Sequence, residues 1–149
     1  MDYEGTATLP ADRQSVWPAI TDPEVLTSCI MGAQEVTRLS EQRYEGLIEQ
    51  RGAGITVSME GEVEIRDLDR PERLTFTGSG ADSRTGSRMD ADVDVFLIES
   101  GDETTLEYEV DITFTGKLAT LGSRVLKRQV KANVDTYFDN LVEHVSENQ

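Results

Sequence analysis

Few side chains in this sequence have the types and spacing that chemistry requires. The single histidine, His144, lies near the C-terminus, and the single cysteine, Cys29, has no second histidine to activate it as a nucleophile. Asp90, Asp92 and Asp94 alternate with other residues, which places them about 7 Å apart on one face of a strand, without the glycine and distal glutamate of a calcium loop. We therefore interpret His144 as a surface helix residue, Cys29 as a packing residue and the aspartates as a solvated face.

Three tyrosines are the remaining candidates for acid–base chemistry. Tyr3, Tyr44 and Tyr108 are the titratable residues at positions that we expect to face the interior, where no Asp, Glu, His, Lys or Arg is found. Tyr108 could serve as an acid, but no base partners it. The sequence therefore favours a binding protein without catalysis and without a metal. A cyclase- or hydrolase-like enzyme with Tyr108 as its acid, and a chaperone-like structural domain with a filled core, are the alternatives.

Small residues stand where a solid core would need large ones. They are Gly5, Gly46, Gly61, Gly78, Gly80 and Ala91. Either they leave volume for an apolar ligand, or they let the sheet coil sharply, and the two explanations are compatible. We expect the ligand-lining residues to be Trp17, Leu26, Ile30, Met59, Phe76, Met89, Tyr108, Val110, Leu121 and Val125.

Alternating and helical patterns predict the elements that hold these residues. A first strand covers 3–9, a helix capped by Asp12 runs to Ile20 with Pro18 inside it, and a second helix capped by Asp22 begins at Pro23. Alternation then predicts strands over 34–39, 43–51, 55–68, 74–80, 89–97 and 106–114. The polar loop at 81–87 is interpreted as a hairpin tip, with contact to an anionic group through Arg84 and Arg88 as the alternative.

The last thirty residues predict one long helix, from Lys117 to about Val145 and roughly 40 Å in length. Its apolar stripe consists of Leu126, Val130, Val134, Tyr137, Phe138, Leu141 and Val145, and a second row consists of Leu118, Leu121 and Val125. The whole pattern predicts an α+β helix-grip fold in a single domain over residues 1–149. A curved antiparallel seven-stranded sheet would wrap around this helix, with two short helices after the first strand.

The start of this helix carries most of the free positive charge. The basic residues are Lys117, Arg124, Lys127, Arg128 and Lys131, and no acidic residue lies between Asp111 and Asp135. Together with Leu118, they could form a gate that rests on a membrane or an acidic partner. Alternatively, the leucines roof the cavity and the bases balance an acidic sheet. The sequence leaves both interpretations open.

Composition limits the class of protein. The 149 residues carry a formal net charge of −15, with 29 acidic and 14 basic residues. Such an excess destabilises a compact chain in dilute salt, so we expect the cytoplasmic protein of a halophile. Nucleic acid is an unsuitable partner for this acidic surface. No disulfide can form within the chain, and neither a signal peptide nor an apolar run of 18 residues is present.

Several stretches resemble one family. They are Ala11 with Val16-Trp17 and Ala19, the run Thr21–Leu26 leading to Cys29-Ile30 and Gly32, Gly78-x-Gly80, and the run Gly116–Arg124. This pattern is similar to the family of the carbon monoxide dehydrogenase G subunit, within the START-like helix-grip (SRPBCC) superfamily. The sequence departs from the family at Met31 and Ala33, where Pro and Cys are usual, and Pro18 is also unusual.

The resemblance implies an accessory protein rather than a catalyst. Members are linked to molybdenum-containing carbon monoxide dehydrogenases and related hydroxylases, which they recruit to the cytoplasmic membrane, and some hold a quinone or similar lipid in the helix-grip cavity. The membrane-anchoring tail of some members has no counterpart in these residues. The resemblance therefore implies a bound quinone or lipid in place of a catalytic cofactor, and a location at the inner face of the membrane.

Overall fold

A computed structural model describes residues 1–52 and 54–147. One face of a seven-stranded sheet is covered by helices. The elements are β1 (Asp2–Leu9), α1 (Arg13–Thr21), α2 (Pro23–Cys29), β2 (Ala33–Arg38), β3 (Arg43–Gly52), β4 (Ile55–Asp69), β5 (Arg73–Asp82), β6 (Ser87–Ser100), β7 (Glu103–Thr115), a 3₁₀ segment (Gly116–Leu121) and α3 (Ser123–Glu147). The predicted fold class is confirmed.

The strands pair in the order β1-β7-β6-β5-β4-β3-β2, and every pair is antiparallel. Successive strands from β2 to β7 are neighbours, so the chain meanders across the sheet. The first strand joins at the far side, where Gly5 lies opposite Tyr108. Because residues that face each other across strands share a face, this register decides which side chains lie beneath the helices.

The two short helices begin where their capping residues predict. The Asp12 carboxylate accepts a hydrogen bond from the Ser15 amide at 2.8 Å, and the Asp22 carboxylate accepts one from the Glu24 amide at 2.9 Å. Each bond satisfies an amide that the first turn of a helix leaves without an intrahelical partner. Pro23 is the first residue of α2, where its missing N–H costs no hydrogen bond.

A solid core fills one end of the molecule. The C-terminal half of α3 packs there against α1, α2 and the sheet, with Leu141 and Val145 buried. The Tyr44 hydroxyl donates to the Thr21 carbonyl at 2.7 Å and joins β3 to the end of α1. The core residues are Leu9, Ala11, Val16, Ala19, Val25, Cys29, Tyr44, Ile65, Leu74, Val95, Leu97, Leu106, Leu141 and Val145.

The prediction of one continuous helix from Lys117 was wrong. Residues Gly116–Leu121 form a 3₁₀ segment, and α3 begins only at Ser123. The break lies at Gly122, whose φ of 85° and ψ of 158° are incompatible with an α-helix. At 1.5 Å per residue, the 25 residues of α3 extend over about 37 Å. Leu118 and Leu121 are therefore not on the same helix as Val125.

Candidate functional site

A band of small residues crosses the middle of the sheet on its helix-facing side. Gly46, Gly61 and Gly80 lie opposite one another on β3, β4 and β5. In the next row, Gly78 lies opposite Ala91 of β6. Because side chains alternate along a strand, these positions share a face with the buried core residues of the same strands. The band therefore lies beneath α3, beyond the end of the solid core.

Open space lies above Gly61 and Gly78. A Cβ atom placed on Gly78 would meet only the Glu62 carbonyl oxygen and the Val63 Cγ2 within 4 Å, both at 3.8 Å. One placed on Gly61 would meet only carbonyl oxygens of the sheet, at 3.3 and 3.8 Å. No atom of α3 reaches either position. We call this space, between the small-residue band and α3, the groove.

Other small residues of this face have different surroundings. A Cβ atom on Gly5 would overlap the Tyr108 side chain, and one on Gly46 would lie 2.8 Å from the Glu35 carbonyl oxygen. Gly80 is covered by Met59, whose Sδ would lie 3.4 Å from the added atom. The two explanations of the glycines therefore both apply. Gly46 permits close strand approach, Gly5 accommodates a tyrosine, and Gly61 and Gly78 leave volume.

The residues predicted to line a ligand site occupy three places. On the sheet, Phe76 and Val110 lie in one cross-strand row through Val93, and Met89 lies opposite Gly80. These side chains remain partly accessible although they face α3. At the far end, Leu121 and Val125 are partly buried, whereas Met59 is 7% exposed. Trp17 and Leu26 instead pack against the solid core, and Ile30 follows α2.

Tyr108 lies on the β7 flank of the groove. Its ring stacks on Phe138 with centroids 5.2 Å apart. Burial raises the pKa of its hydroxyl, the Asp135 carboxylate raises it further, and the Lys131 ammonium lowers it. The phenol is therefore neutral at ordinary pH. Tyr3 and Tyr44 donate to Met1 Sδ and to the Thr21 carbonyl, so neither hydroxyl points to a second titratable group.

Polar groups on the other flank were not predicted. The Gln50 amide donates to the Met31 carbonyl at 2.6 Å and accepts from Asn133 at 3.1 Å. Asn133 in turn accepts from Gln129 at 3.4 Å. These bonds join β3 to α3 through neutral amides. The i, i+4 spacing of Gln129 and Asn133 beside the apolar stripe was the available signal. Tyr137, one turn after Asn133, is the second missed polar residue.

Cys29 and His144 have no catalytic surroundings. Burial raises the pKa of the Cys29 thiol, while a hydrogen bond with Ser28 lowers it, and the residue is 2% exposed. A buried thiol with a raised pKa suits packing rather than nucleophilic attack. His144 lies in the last turn of α3. Within residues 1–52 and 54–147, no group of three or more His, Cys, Asp or Glu side chains is arranged to hold a metal.

The start of α3 presents unpaired positive charge. Lys117, Arg124, Lys127 and Arg128 are exposed, and none of them forms an ion pair with a described residue. Lys131 pairs with Asp135 at 3.0 Å. Apolar side chains lie among them, because Leu118, Leu121 and Val125 are only partly buried. We call residues 117–131 the basic segment.

A concavity of about 350 Å³ lies on the opposite, solvent-facing side of the sheet. Arg88 and Asp90 pair within it at 2.9 Å, and Arg66 pairs with Glu64 at 3.2 Å. This polar lining does not suit an apolar ligand, although the concavity is more pronounced than the groove. Arg84 donates to the Thr56 carbonyl. With Arg84 and Arg88 both engaged, the hairpin-tip interpretation fits the structure better than an anion site.

None of the described helices is both long enough and apolar enough to cross a membrane. Comparison with solved structures shows a shared fold. A conserved protein from Geobacillus kaustophilus has a TM-score of 0.91 and 21% identity, over 99% of this chain and 96% of that one. A START superfamily protein from Mycobacterium smegmatis has a TM-score of 0.78 and 11% identity, over 99% of both chains. An Arthrobacter aurescens protein has a TM-score of 0.72 and 14% identity, over 98% of this chain and 86% of that one.

Sequence comparison gives the family. A search of curated proteins found no significant match. The family model for the carbon monoxide dehydrogenase G subunit (CoxG) matches residues 5–146, which include the small-residue band, the basic segment and nearly all of α3. The chain therefore belongs to the CoxG family of carbon monoxide dehydrogenase and has a START-like helix-grip fold.

Proposed function

We propose that this chain is a non-enzymatic accessory protein that holds an apolar, quinone- or lipid-like ligand in the groove. The observation that carries the proposal is the open space above Gly61 and Gly78, which no atom of α3 approaches within 4 Å. Partly accessible apolar side chains, including Phe76, Met89 and Val110, surround that space. An apolar cavity with few polar groups favours ligands that remove apolar surface from water.

The family name supports a partner. Because the chain belongs to the CoxG family, we propose that it docks a molybdenum hydroxylase of the carbon monoxide dehydrogenase type at the inner face of the membrane. The basic segment is the surface proposed for docking. Its four unpaired cations stand on a molecule of net charge −15, so an anionic lipid surface or an acidic protein patch would be attracted there and repelled elsewhere.

An enzyme is the weaker candidate. Tyr108 would be its acid, yet the ring stacks on Phe138 and the side chain covers Gly5, so the phenol contributes to packing. Its raised pKa keeps the proton on the hydroxyl, and the charged groups that influence it, Asp135 and Lys131, are paired with each other. A general acid needs a partner that returns its proton. The geometry around Tyr108 offers no such group.

Ligand binding is testable through Trp17, the only tryptophan. Decylubiquinone, added to the protein in molar salt, should quench its fluorescence in a saturable manner. Gly78→Leu should abolish saturable quenching because the new side chain fills the groove. Thr77→Leu, which adds a similar side chain on the opposite face of the same strand, is the matched control. Equal quenching of all three proteins would refute a ligand site above Gly78.

Native ligand and docking need separate experiments. Mass spectrometry of an organic extract of protein from its own host should reveal a quinone or lipid. Flotation with anionic liposomes should compare the wild type with Leu118→Ser/Leu121→Ser and with Lys127→Glu/Lys131→Glu. Salt screens the cations, so apolar insertion must supply most of the binding at high salt. Failure of the wild type both to float and to retain the cognate hydroxylase would reduce the basic segment to a lid.

A further inference from the structure

Tyr137 occupies an unusual position on the sheet-facing side of α3. Its ring packs against the solid core and meets Phe138 edge-on, with centroids 5.2 Å apart. Loss of hydration raises the pKa of its hydroxyl strongly, and the neighbouring Cys29 thiol adds to this effect. The phenol therefore lies deep in the molecule, at the point where the solid core gives way to the groove.

The Tyr137 hydroxyl nevertheless has no protein partner. Among residues 1–52 and 54–147, it forms no hydrogen bond, whereas the buried Tyr44 hydroxyl donates to the Thr21 carbonyl at 2.7 Å. Tyr137 also retains part of its surface accessible. A side chain that is surrounded by protein and yet accessible borders an internal space rather than bulk water. That space is the groove, since Tyr137 belongs to the stripe of α3 that faces the small-residue band.

The surroundings of this hydroxyl are uncharged. Helix-facing positions on β5, β6 and β7 carry no lysine or arginine between Leu74 and Phe114, and the amides of Gln50, Asn133 and Gln129 on the adjacent flank are neutral. A carboxylate or phosphate in such a place would lose its hydration without gaining a counter-charge. A neutral oxygen acceptor loses less, and one phenolic donor can satisfy it.

We propose that the Tyr137 hydroxyl binds the polar end of the ligand by donating a hydrogen bond to a neutral carbonyl oxygen. The ligand class is then an apolar molecule with a ketone- or quinone-type carbonyl, rather than a fatty acid or phospholipid headgroup. This inference rests on the proposed function, because it requires that the groove holds a ligand. It adds the residue that recognises the ligand and the charge state of the recognised group.

Two matched compounds test the assignment. Octanophenone carries a ketone, and octylbenzene has a methylene in its place. Each is titrated against the protein by displacement of N-phenyl-1-naphthylamine, a neutral fluorescent probe. Wild type should bind octanophenone more tightly. Tyr137→Phe, which removes only the oxygen atom, should lose about three- to tenfold in affinity for octanophenone and none for octylbenzene. Tyr44→Phe, which removes the hydroxyl that donates to Thr21, should change neither affinity.

The outcomes separate the two proposals. Equal weakening of both compounds in Tyr137→Phe, or no weakening of either, would overturn the role of Tyr137 while leaving ligand binding intact. If neither compound nor the probe binds to the wild type, the proposed function fails, and the assignment fails with it. Thermal melts of each variant establish that the folded protein is being compared. A ketone preference that persists in Tyr137→Phe would point to the amides of Gln50 and Asn133 and would also overturn the proposal.

Discussion

Gly5 and Gly78 lie on the same face of the sheet but have opposite surroundings. The Tyr108 side chain covers Gly5, whereas nothing lies within 3.8 Å of a Cβ placed on Gly78. Gly5→Ala should therefore lower the free energy of unfolding by about 1–3 kcal/mol through overpacking. Gly78→Ala should leave it unchanged or raise it by about 0.5–1 kcal/mol, because glycine weakens a strand. Urea unfolding in molar salt would measure both, and equal losses would contradict a filled site at Gly5 and an open one at Gly78.

Larger side chains extend this comparison. Gly78→Leu should unfold cooperatively with little loss of stability, since the groove accommodates the new side chain. Gly61→Leu should be less well tolerated, because the Ser79 carbonyl oxygen lies 3.3 Å from the first added atom. Thermal melts of both variants would be compared with the wild type. Large destabilisation in both would mean that the groove is too small for a ligand.

Asp82 predicts an acid-dependent stability. Its carboxylate accepts hydrogen bonds from the Ser58 and Arg84 amides, both at 2.9 Å. The bond from Ser58 is the main cause of its lowered pKa. A lowered pKa in the folded state means that the carboxylate stabilises the fold above the ordinary value of 3.8 and that this contribution is lost as the pH falls below it. Asp82→Asn should reduce the melting temperature at pH 7 and flatten its fall below pH 4, and parallel curves would contradict this.

Sequence reasoning could identify the small residues but not their separate roles. Gly5 and Gly78 have the same one-letter code and the same place in an alternating pattern. What distinguishes them is the direction of a neighbouring side chain, since Tyr108 leans over β1 and no equivalent residue leans over β5. Tyr137 was recognised only as part of an apolar stripe. Its unpaired hydroxyl became visible when the hydrogen bonds of the folded chain could be assigned.

At the scale of the elements, Gly122 separates the 3₁₀ segment from α3. Its φ of 85° and ψ of 158° belong to a region that is occupied almost only by glycine. Gly122→Ala should therefore lower the free energy of unfolding by about 1–3 kcal/mol, although no atom lies within 4 Å of the added Cβ. Ala119→Gly, within the 3₁₀ segment, provides a comparison with no forced dihedral angle. If Gly122→Ala were as stable as the wild type, the break before α3 would not be fixed by this residue.

The strands and short helices were predictable because their signals are local. Alternation, the Asp12 and Asp22 caps and Pro23 depend on neighbours along the chain, and each element begins within a few residues of its predicted position. The start of the last helix was not predictable in this way. Leucine, alanine and lysine favour an α-helix from Lys117 onwards, but the 3₁₀ segment is held by a tertiary contact, in which the Leu118 amide donates to Ser87 Oγ at 3.2 Å.

At the scale of the whole molecule, charge predicts a dependence on salt. The excess of 29 acidic over 14 basic residues gives a net charge of −15, and the Debye length falls from about 10 Å at 0.1 M to about 3 Å at 1 M salt. The melting temperature should therefore rise between 0.1 and 2 M potassium chloride. Sucrose at matched osmolality, which does not screen charge, separates this effect from solute exclusion. A melting temperature that does not change with chloride would refute adaptation to high salt.

The pairing of the first strand with the last one has a consequence for synthesis. Asp2 lies opposite Asp111, so the ribosome completes β1 about 100 residues before its partner exists. At roughly 5–20 residues per second, this interval is about 5–20 s. During it, the nascent β1 has no strand to pair with, and its acidic residues, Asp2 and Glu4, oppose association with other chains. The sheet can grow from β2 towards β7 as the chain emerges, but β1 can join it only after β7 has been made.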